Sequence, residues 1–280
     1  MPPAIALGSV RLDFGRPVLI GILNITPDSF SDGGQLAGID AVVQRAGALV
    51  DAGATVLDIG GESTRPGSGG VDAGTEIERV APAIDAIRKL GLPAALSIDT
   101  SKARVAEVAL QHGAAMVNDV SALRDPKMAG VVAAHGAALI LLHMRGEPRS
   151  MQEGEIRYDD LLADIRGFLD NAVERAVDGG VARERILVDP GIGFGKTVEH
   201  NLSLTRRLGE LSPLGRPVVF GPSRKRFLGA VTGRGVTDLD RATAAACVAA
   251  VLAGAHALRV HDVEGVRDAV EVALAVRDAP

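Results

Sequence analysis

Eight apolar runs, each closed by a polar or glycine-rich turn and followed by an Ala-rich stretch of helical period, limit the fold of this chain more than any other feature. They read "PVLIGILN", "TVLDIGG", "AALSIDT", "AAMVND", "AALILLHM", "RILVDPG", "PVVFGPS" and "ALRVHD". Near-continuous apolar strands need cover on both faces, and strands alternating with helices form a parallel sheet beneath helices. Eight such units in about 250 residues match a closed (β/α)8 barrel. A doubly wound open sheet is the alternative, but it would carry a glycine fingerprint after the first strand, and "ILNITPDSFSDGG" is not G-x-G-x-x-G. The expected fold is therefore α/β, a (β/α)8 TIM barrel, with residues 1–280 as one domain. Ahead of it, "IALGSVRLDF" alternates around Gly8 and Ser9 and predicts a short N-terminal β-hairpin, a plug or lid on one end of the barrel.

Charge and composition narrow the function. A net charge of −5 gives no general attraction to nucleic acid or to an anionic membrane, so an anionic ligand needs a local basic cluster. Aromatic residues are 2% with no Trp, which argues against base stacking. The lone Cys247, in "AAACVAAVLAGA", reads as a small buried hydrophobe of a helix rather than a nucleophile. The N-terminus lacks the pattern of a secretory leader, and no uninterrupted apolar span suits a membrane helix. A cytoplasmic enzyme is the expectation.

Polar residues gather at the ends of the apolar runs. Asn24, Asp58, Glu62, Asp99, Asn118, His143, Asp189, Lys225, Arg259 and His261 all fall at or just beyond a C-terminal strand end, the barrel face that carries active sites. Any one Asp or Asn there has an ordinary alternative as a helix cap, but capping does not call for Lys, Arg and His as well. Three connections exceed the few residues a βα turn needs: Ile25 to about Gly38, Gly60 to Gly70, and Arg145 to Arg157. The first two combine turn residues with functional side chains. The third is merely charged and also fits a solvated insertion.

In order along the chain, "NITPDSFSDGG", "GGESTRPG", "SIDT", "VNDVS", "DPGIGFGK", "SRK" and "RVHD" resemble the motifs of dihydropteroate synthases, from the hairpin to the last helix. The resemblance implies a folate-pathway transferase and sulfonamide target that joins (7,8-dihydropterin-6-yl)methyl diphosphate to 4-aminobenzoate and releases diphosphate. A pterin edge calls for a carboxylate, an amide and a cation at fixed positions. By resemblance, Asp99, Asn118, Met144, Asp189, Gly221 and Lys225 surround the pterin, with Asp99, Lys225 and Asp32 as catalytic residues. Asp99 would stabilise positive charge that develops as diphosphate leaves before the amine attacks.

For the leaving group the resemblance implies Asn24, Thr64, Arg259 and His261. The i, i+2 spacing of Arg259 and His261 on an extended strand end sends both side chains to one side. Mg²⁺ is the implied cofactor, held by Asn24 and Asp32. No H-x-x-x-H pair or Cys partner calls for zinc. Phe30, Thr64, Arg65, Pro66, Phe194 and Lys225 are expected around 4-aminobenzoate, and a homodimer is expected on resemblance alone. Three positions depart from the usual family pattern: Ala122 where Gly is common, Arg145 after Met144, and Arg226 where a small hydroxyl residue is common. The rival readings are a pterin-dependent methyltransferase on the same barrel, which would not need the diphosphate residues, and a non-catalytic pterin-binding paralogue.

Overall fold

The structure, a computed structural model, describes residues 2–25, 34–62, 70–146, 151 and 154–280. Strands β1 (Ile5–Leu7) and β2 (Val10–Leu12) form the antiparallel hairpin. Eight parallel strands follow: β3 (Val18–Asn24), β4 (Val56–Gly60), β5 (Ala95–Asp99), β6 (Met116–Asp119), β7 (Ala138–Leu142), β8 (Ile186–Asp189), β9 (Val219–Phe220) and β10 (Ala257–Val260). Their order in the sheet is β8-β7-β6-β5-β4-β3-β10-β9. An isolated bridge between Val188 and Val218 joins the two ends, with the Val188 amide donating to Pro217 O at 3.0 Å, and so closes the barrel.

Helices α1 (Gly34–Asp51), α2 (Ala73–Lys89), α3 (Ala103–Gln111), α4 (Met128–Ala134), α5 (Leu161–Asp178) and α6 (Val198–Arg206) follow the first six barrel strands. A short α7 (Arg226–Thr232) is inserted after β9, before α8 (Asp240–Leu252), and α9 (Val263–Arg277) follows β10. Local chemistry starts several of them. Asp72, Asp160 and Asp262 accept amide protons at the heads of α2, α5 and α9, and Thr197 forms a capping box with His200 on α6. The aspartate of "RVHD" is thus a helix cap. No helix among the described residues is long and apolar enough to cross a membrane.

Strand parity decides where each side chain goes. Leu57, Ile59, Leu96, Ile98, Val117, Leu139, Val188 and Leu258 face outward into an apolar layer shared with the helices. The alternate residues face inward. Val18, Ile20, Val56, Ala95, Met116, Ala138, Leu187, Val219 and Ala257 form one cluster with Ile5, Leu7, Leu12 and Phe14 of the hairpin segment. The hairpin is therefore a plug in the N-terminal end, where each buried Leu or Ile contributes about 1.5–3 kcal/mol. Two residues further up the same inward rows stand Asp58, Ser97, Asn118, Asp189 and Arg259. The barrel interior is apolar at the plugged end and polar towards the mouth. Cys247 is buried in α8, and burial raises its thiol pKa, as suits a packing residue.

Candidate active site

Sheet register assembles the first row of the mouth. Asn24 pairs with Gly60, Gly60 with Asp99, and Asp99 with Asn118, so four adjacent strands bring these positions side by side. Asn24 is exposed at the lip, whereas Asp99 and Asn118 are buried. Across the barrel, β8 contributes Asp189, β9 leads to Gly221 and Lys225, and β10 contributes Arg259.

Arg259 reaches past β3 to two carboxylates. Its Nε donates to Asp58 Oδ2 at 2.5 Å and its Nη2 to Asp99 Oδ2 at 2.6 Å. Asp58, fully buried, also accepts from Ser97 Oγ at 2.5 Å and from Asn118 Nδ2 at 3.0 Å. Such a set of donors is what a buried carboxylate requires. Burial disfavours the Arg259 charge, but Asp58 and Asp99 outweigh it and hold its pKa above the ordinary value. Burial pushes Asp99 up to about 7 against the pull of Arg259, and the Asp58 charge adds to the rise. Two buried acceptors in this row, Asp99 Oδ1 and Asn118 Oδ1, have no hydrogen-bond partner among the described residues.

Asp189 accepts the Gly191 amide at 2.7 Å; burial raises its pKa, with Lys225 pulling the other way. Lys225 donates its Nζ to Ile192 O and lies 4.2 Å from the centroid of the Phe194 ring. Burial draws its ammonium down to about 7, opposed by Asp189. Gly193, at φ 79°, is required here, because a Cβ would come 2.7 Å from Lys225 Cδ. His261 stands at the rim with Nδ1 2.9 Å from Ser223 Oγ, and its carbonyl accepts from Arg45 Nη2 at 2.7 Å. Arg259 and His261 thus share the end of one strand, with Arg259 turned onto carboxylates and the His261 ring set against Ser223.

A cavity of about 290 Å³ opens beside this charged row, lined by Ser101, Val120, Ser121, Arg124, Asp125 and Met144. Val120, Leu142, Met144, Met151 and Phe194 pack into an apolar cluster nearby. Met151 shows that the third long connection is more than a solvated insertion. Its charged neighbours hid that role, and the isolated Met among them was the available signal. Arg145 of the same segment donates to Glu155 O at 3.1 Å. Arg226 is exposed at the start of α7. Ala122 and Leu123 hold positive φ of 50° and 66°, and Arg175 donates to both of their carbonyls.

Phe30, Asp32, Thr64, Arg65 and Pro66 lie outside the described residues. The flanks of residues 63–69 are described: Glu62 Oε1 accepts the Val71 amide at 3.2 Å, and Arg79 donates to Gly61 O at 2.8 Å. Lys102 bridges Glu62 and the buried Glu76, the latter at 2.6 Å. Sequence reasoning placed Asp58 at the mouth without a role and overlooked Ser97; their hydrogen bond lies inside the barrel, where only the inward parity of both residues pointed to it.

Fold and site define a barrel enzyme whose mouth offers carboxylates, an amide and cations to a flat polar ligand. Residues 20–261 match the family described as "Pterin binding enzyme". The dihydropteroate synthase of Synechocystis sp. is 45% identical over 276 residues, covering 97% of this chain and 94% of that protein. Among solved structures, Xanthomonas albilineans dihydropteroate synthase with 4-aminobenzoic acid has a TM-score of 0.92 at 40% identity, covering 100% of both chains. The same enzyme in complex with 7,8-dihydropteroate has a TM-score of 0.89 at 38% identity, covering 99% of this chain and 100% of that one. The chain belongs to the pterin-binding enzymes and, among them, to the dihydropteroate synthases, transferases of folate biosynthesis.

Proposed function

We propose that this chain condenses (7,8-dihydropterin-6-yl)methyl diphosphate with 4-aminobenzoate to give 7,8-dihydropteroate and diphosphate, and that diphosphate leaves before the amine attacks. One observation carries the reading: Asp99 Oδ1 and Asn118 Oδ1 are neighbouring buried acceptors without partners among the described residues. Each such group costs about 1–3 kcal/mol until a donor arrives. A pterin edge brings an amino group and ring N–H groups to such acceptors. Asp189 adds a buried carboxylate across the barrel, and Lys225 offers a donor to the ring carbonyl and N5. Gly221 borders both Asp189 and Arg259, since a Cβ there would stand 3.7 Å from Arg259 Cβ and 3.8 Å from Asp189 Oδ2, in ordinary contact with each. Met144 and Val120 supply an apolar wall. The relatives that hold 4-aminobenzoic acid and 7,8-dihydropteroate support the two substrates.

In the chemical step the methylene C–O bond breaks and diphosphate takes the electron pair. Positive charge then spreads from the methylene carbon into the ring, where the Asp99 carboxylate lowers its energy. The arylamine lone pair closes the C–N bond, and the nitrogen loses its proton afterwards. Arg259 has a part in both stages. Before diphosphate binds it is shared between Asp58 and Asp99, where it opposes the effect of burial and helps to keep Asp99 ionised, and diphosphate would be a further anion within its reach. His261 and Thr64 complete the anion site, and Phe194, Phe30, Arg65 and Pro66 enclose the aminobenzoate.

Asn24 suits a shared Mg²⁺ ion: its amide is exposed at the lip, next to Gly60 and Asp99, and a neutral oxygen donor fits an ion that keeps waters and binds phosphates. Asn24 and Asp32 would hold the ion, which when bound offsets the charge of the departing diphosphate. We also propose a homodimer, because Leu252 on α8 and Val272 and Val276 on the adjoining α9 are exposed apolar side chains. Sedimentation of the purified chain tests it; a monomer at all concentrations removes it.

The deciding assay is diphosphate release with the pterin diphosphate, Mg²⁺ and 4-aminobenzoate. Steady turnover that needs both organic substrates is expected, with one pteroate formed per diphosphate. Binding without turnover would leave the non-catalytic reading. Asp189→Ala and Lys225→Ala should each weaken pterin binding by about 1–3 kcal/mol in calorimetry. Wild-type affinity in both folded variants would refute the pocket.

A further inference from the structure

Two lysines grip residues 190–195 from opposite sides. On the side of the mouth, Ile192 O accepts from Lys225 and the Phe194 ring lies beneath its ammonium. Behind the turn sits Lys196, 3% exposed, which donates to Gly191 O at 3.0 Å and Phe194 O at 3.2 Å and meets His143 Nδ1 at 2.9 Å. Burial draws the Lys196 pKa down to about 7, with the Asp189 charge pulling the other way. In its ammonium form the side chain has three protons and no lone pair, so these acceptors use all of them. Facing the ammonium form, His143 accepts through Nδ1 and carries its own proton on Nε2. Burial and the nearby Lys196 charge favour this neutral ring, with the His143 pKa drawn down to about 3.

The surroundings leave the turn little choice. His143 packs edge-on against Phe168 at 4.9 Å between ring centroids, and the Tyr158 hydroxyl donates to Gly195 O at 2.9 Å. Gly193 N donates to Asn201 Oδ1 at 2.7 Å. Gly191, at φ 71°, lies so close to the His143 backbone that a Cβ would fall 1.8 Å from its carbonyl oxygen. A lysine is an expensive anchor, since desolvating its charge costs several kcal/mol. An apolar side chain would fill the same space, but it could not orient two carbonyls at once. What separates Lys196 from an ordinary structural lysine is that the same turn provides Lys225 with the Ile192 carbonyl and the Phe194 ring.

We propose that Lys196, assisted by Tyr158, is a positioning residue for Lys225: it fastens from behind the turn whose front face holds the pterin-side lysine. The inference rests on the reading that Lys225 faces the pterin. A double-mutant cycle on pterin diphosphate affinity, measured by calorimetry, tests both and keeps them apart. Lys196→Met should weaken binding about tenfold, Lys225→Met should weaken it more, and the double variant should bind like Lys225→Met alone. A lysine that merely stabilises the fold would add its full factor in the double variant.

Unchanged affinity in Lys196→Met, or factors that multiply in the double variant, would overturn the inference. Unchanged affinity in Lys225→Met would instead overturn the site reading. Should Lys196→Met fail to fold, Tyr158→Phe removes only one hydroxyl and replaces it in the cycle. A loss of about twofold to threefold that vanishes in the Lys225→Met background supports the proposal. No loss, or the same loss in that background, refutes it.

Discussion

Arg259 divides one guanidinium between Asp58 and Asp99, while burial, which raises Asp99 and lowers Lys225, gives the mouth its pH dependence. Asp99, at about 7, loses its charge as pH falls through neutrality. Lys225, also at about 7, loses its charge as pH rises through the same range. Since the reaction needs the Asp99 carboxylate and binding needs the Lys225 cation, kcat/KM for the pterin diphosphate should peak near neutral pH and fall on both sides. Lys225→Arg keeps a cation at high pH and should reduce the fall on the alkaline side alone, leaving the part that comes from Lys196, which burial also draws down to about 7. Diphosphate release measured across roughly pH 5 to 9 checks this; a rate independent of pH below neutrality would exclude a catalytic charge on Asp99. A second residue-level expectation concerns Ala122, at φ 50°. The left-handed conformation costs Ala about 1–2 kcal/mol, partly offset in Gly by its greater entropy loss, so Ala122→Gly should stabilise the fold by about 0.5–1 kcal/mol. Urea unfolding reads the change, and a loss of stability would mean that the Ala methyl contributes more by packing than the backbone strain costs.

Among the elements, the hairpin bears on stability and the strand ends on chemistry. Leu12 is fully buried against the inward residues of the plugged end, far along the strands from Asp99 and Asp189. Leu12→Ala should therefore cost about 2–5 kcal/mol of stability while leaving KM for both substrates unchanged. A urea midpoint and steady-state kinetics on one preparation test the separation; a shifted KM would show that the plug reaches the mouth. The same division explains what could be read from sequence. Eight strand runs and the hairpin were legible because buried parallel strands leave near-continuous apolar runs and hairpin residues alternate with period two, each within a few residues. Asn118, Asp189 and Arg259 were legible because each closes such a run. The hub at Asp58 was not, since its partners Ser97, Asn118 and Arg259 stand 39, 60 and 201 residues away and meet it only when the barrel closes. Lys196 was hidden in a glycine-rich string whose turn faces both ways.

The whole barrel has one weak seam, and the site lies across it. Where β3 and β4 share five register pairs, β8 meets β9 through the isolated Val188–Val218 bridge, and β9 itself has two residues. Asp189 ends the strand on one side of this seam; Gly221 and Lys225 follow the strand on the other. A pterin bound to both Asp189 and Lys225 would tie the two sides together where backbone pairing is thinnest. Ligand at about 100 times its Kd stabilises the folded state by about 2.7 kcal/mol, a gain shared by every amide that exchanges through global unfolding. An amide at the seam opens by a smaller local event and gains protection only if the ligand spans that event. Hydrogen exchange should therefore slow more at Val188 than at amides in other locally opening regions, such as the last turn of α9, when pterin diphosphate is added. In Asp189→Ala, with ligand raised to saturation, the additional protection at Val188 should be lost while the global gain remains. Equal slowing at Val188 and at regions away from the seam, or the same Val188 protection in the variant, would show that the ligand sits to one side of the seam and that closure of the barrel does not depend on it.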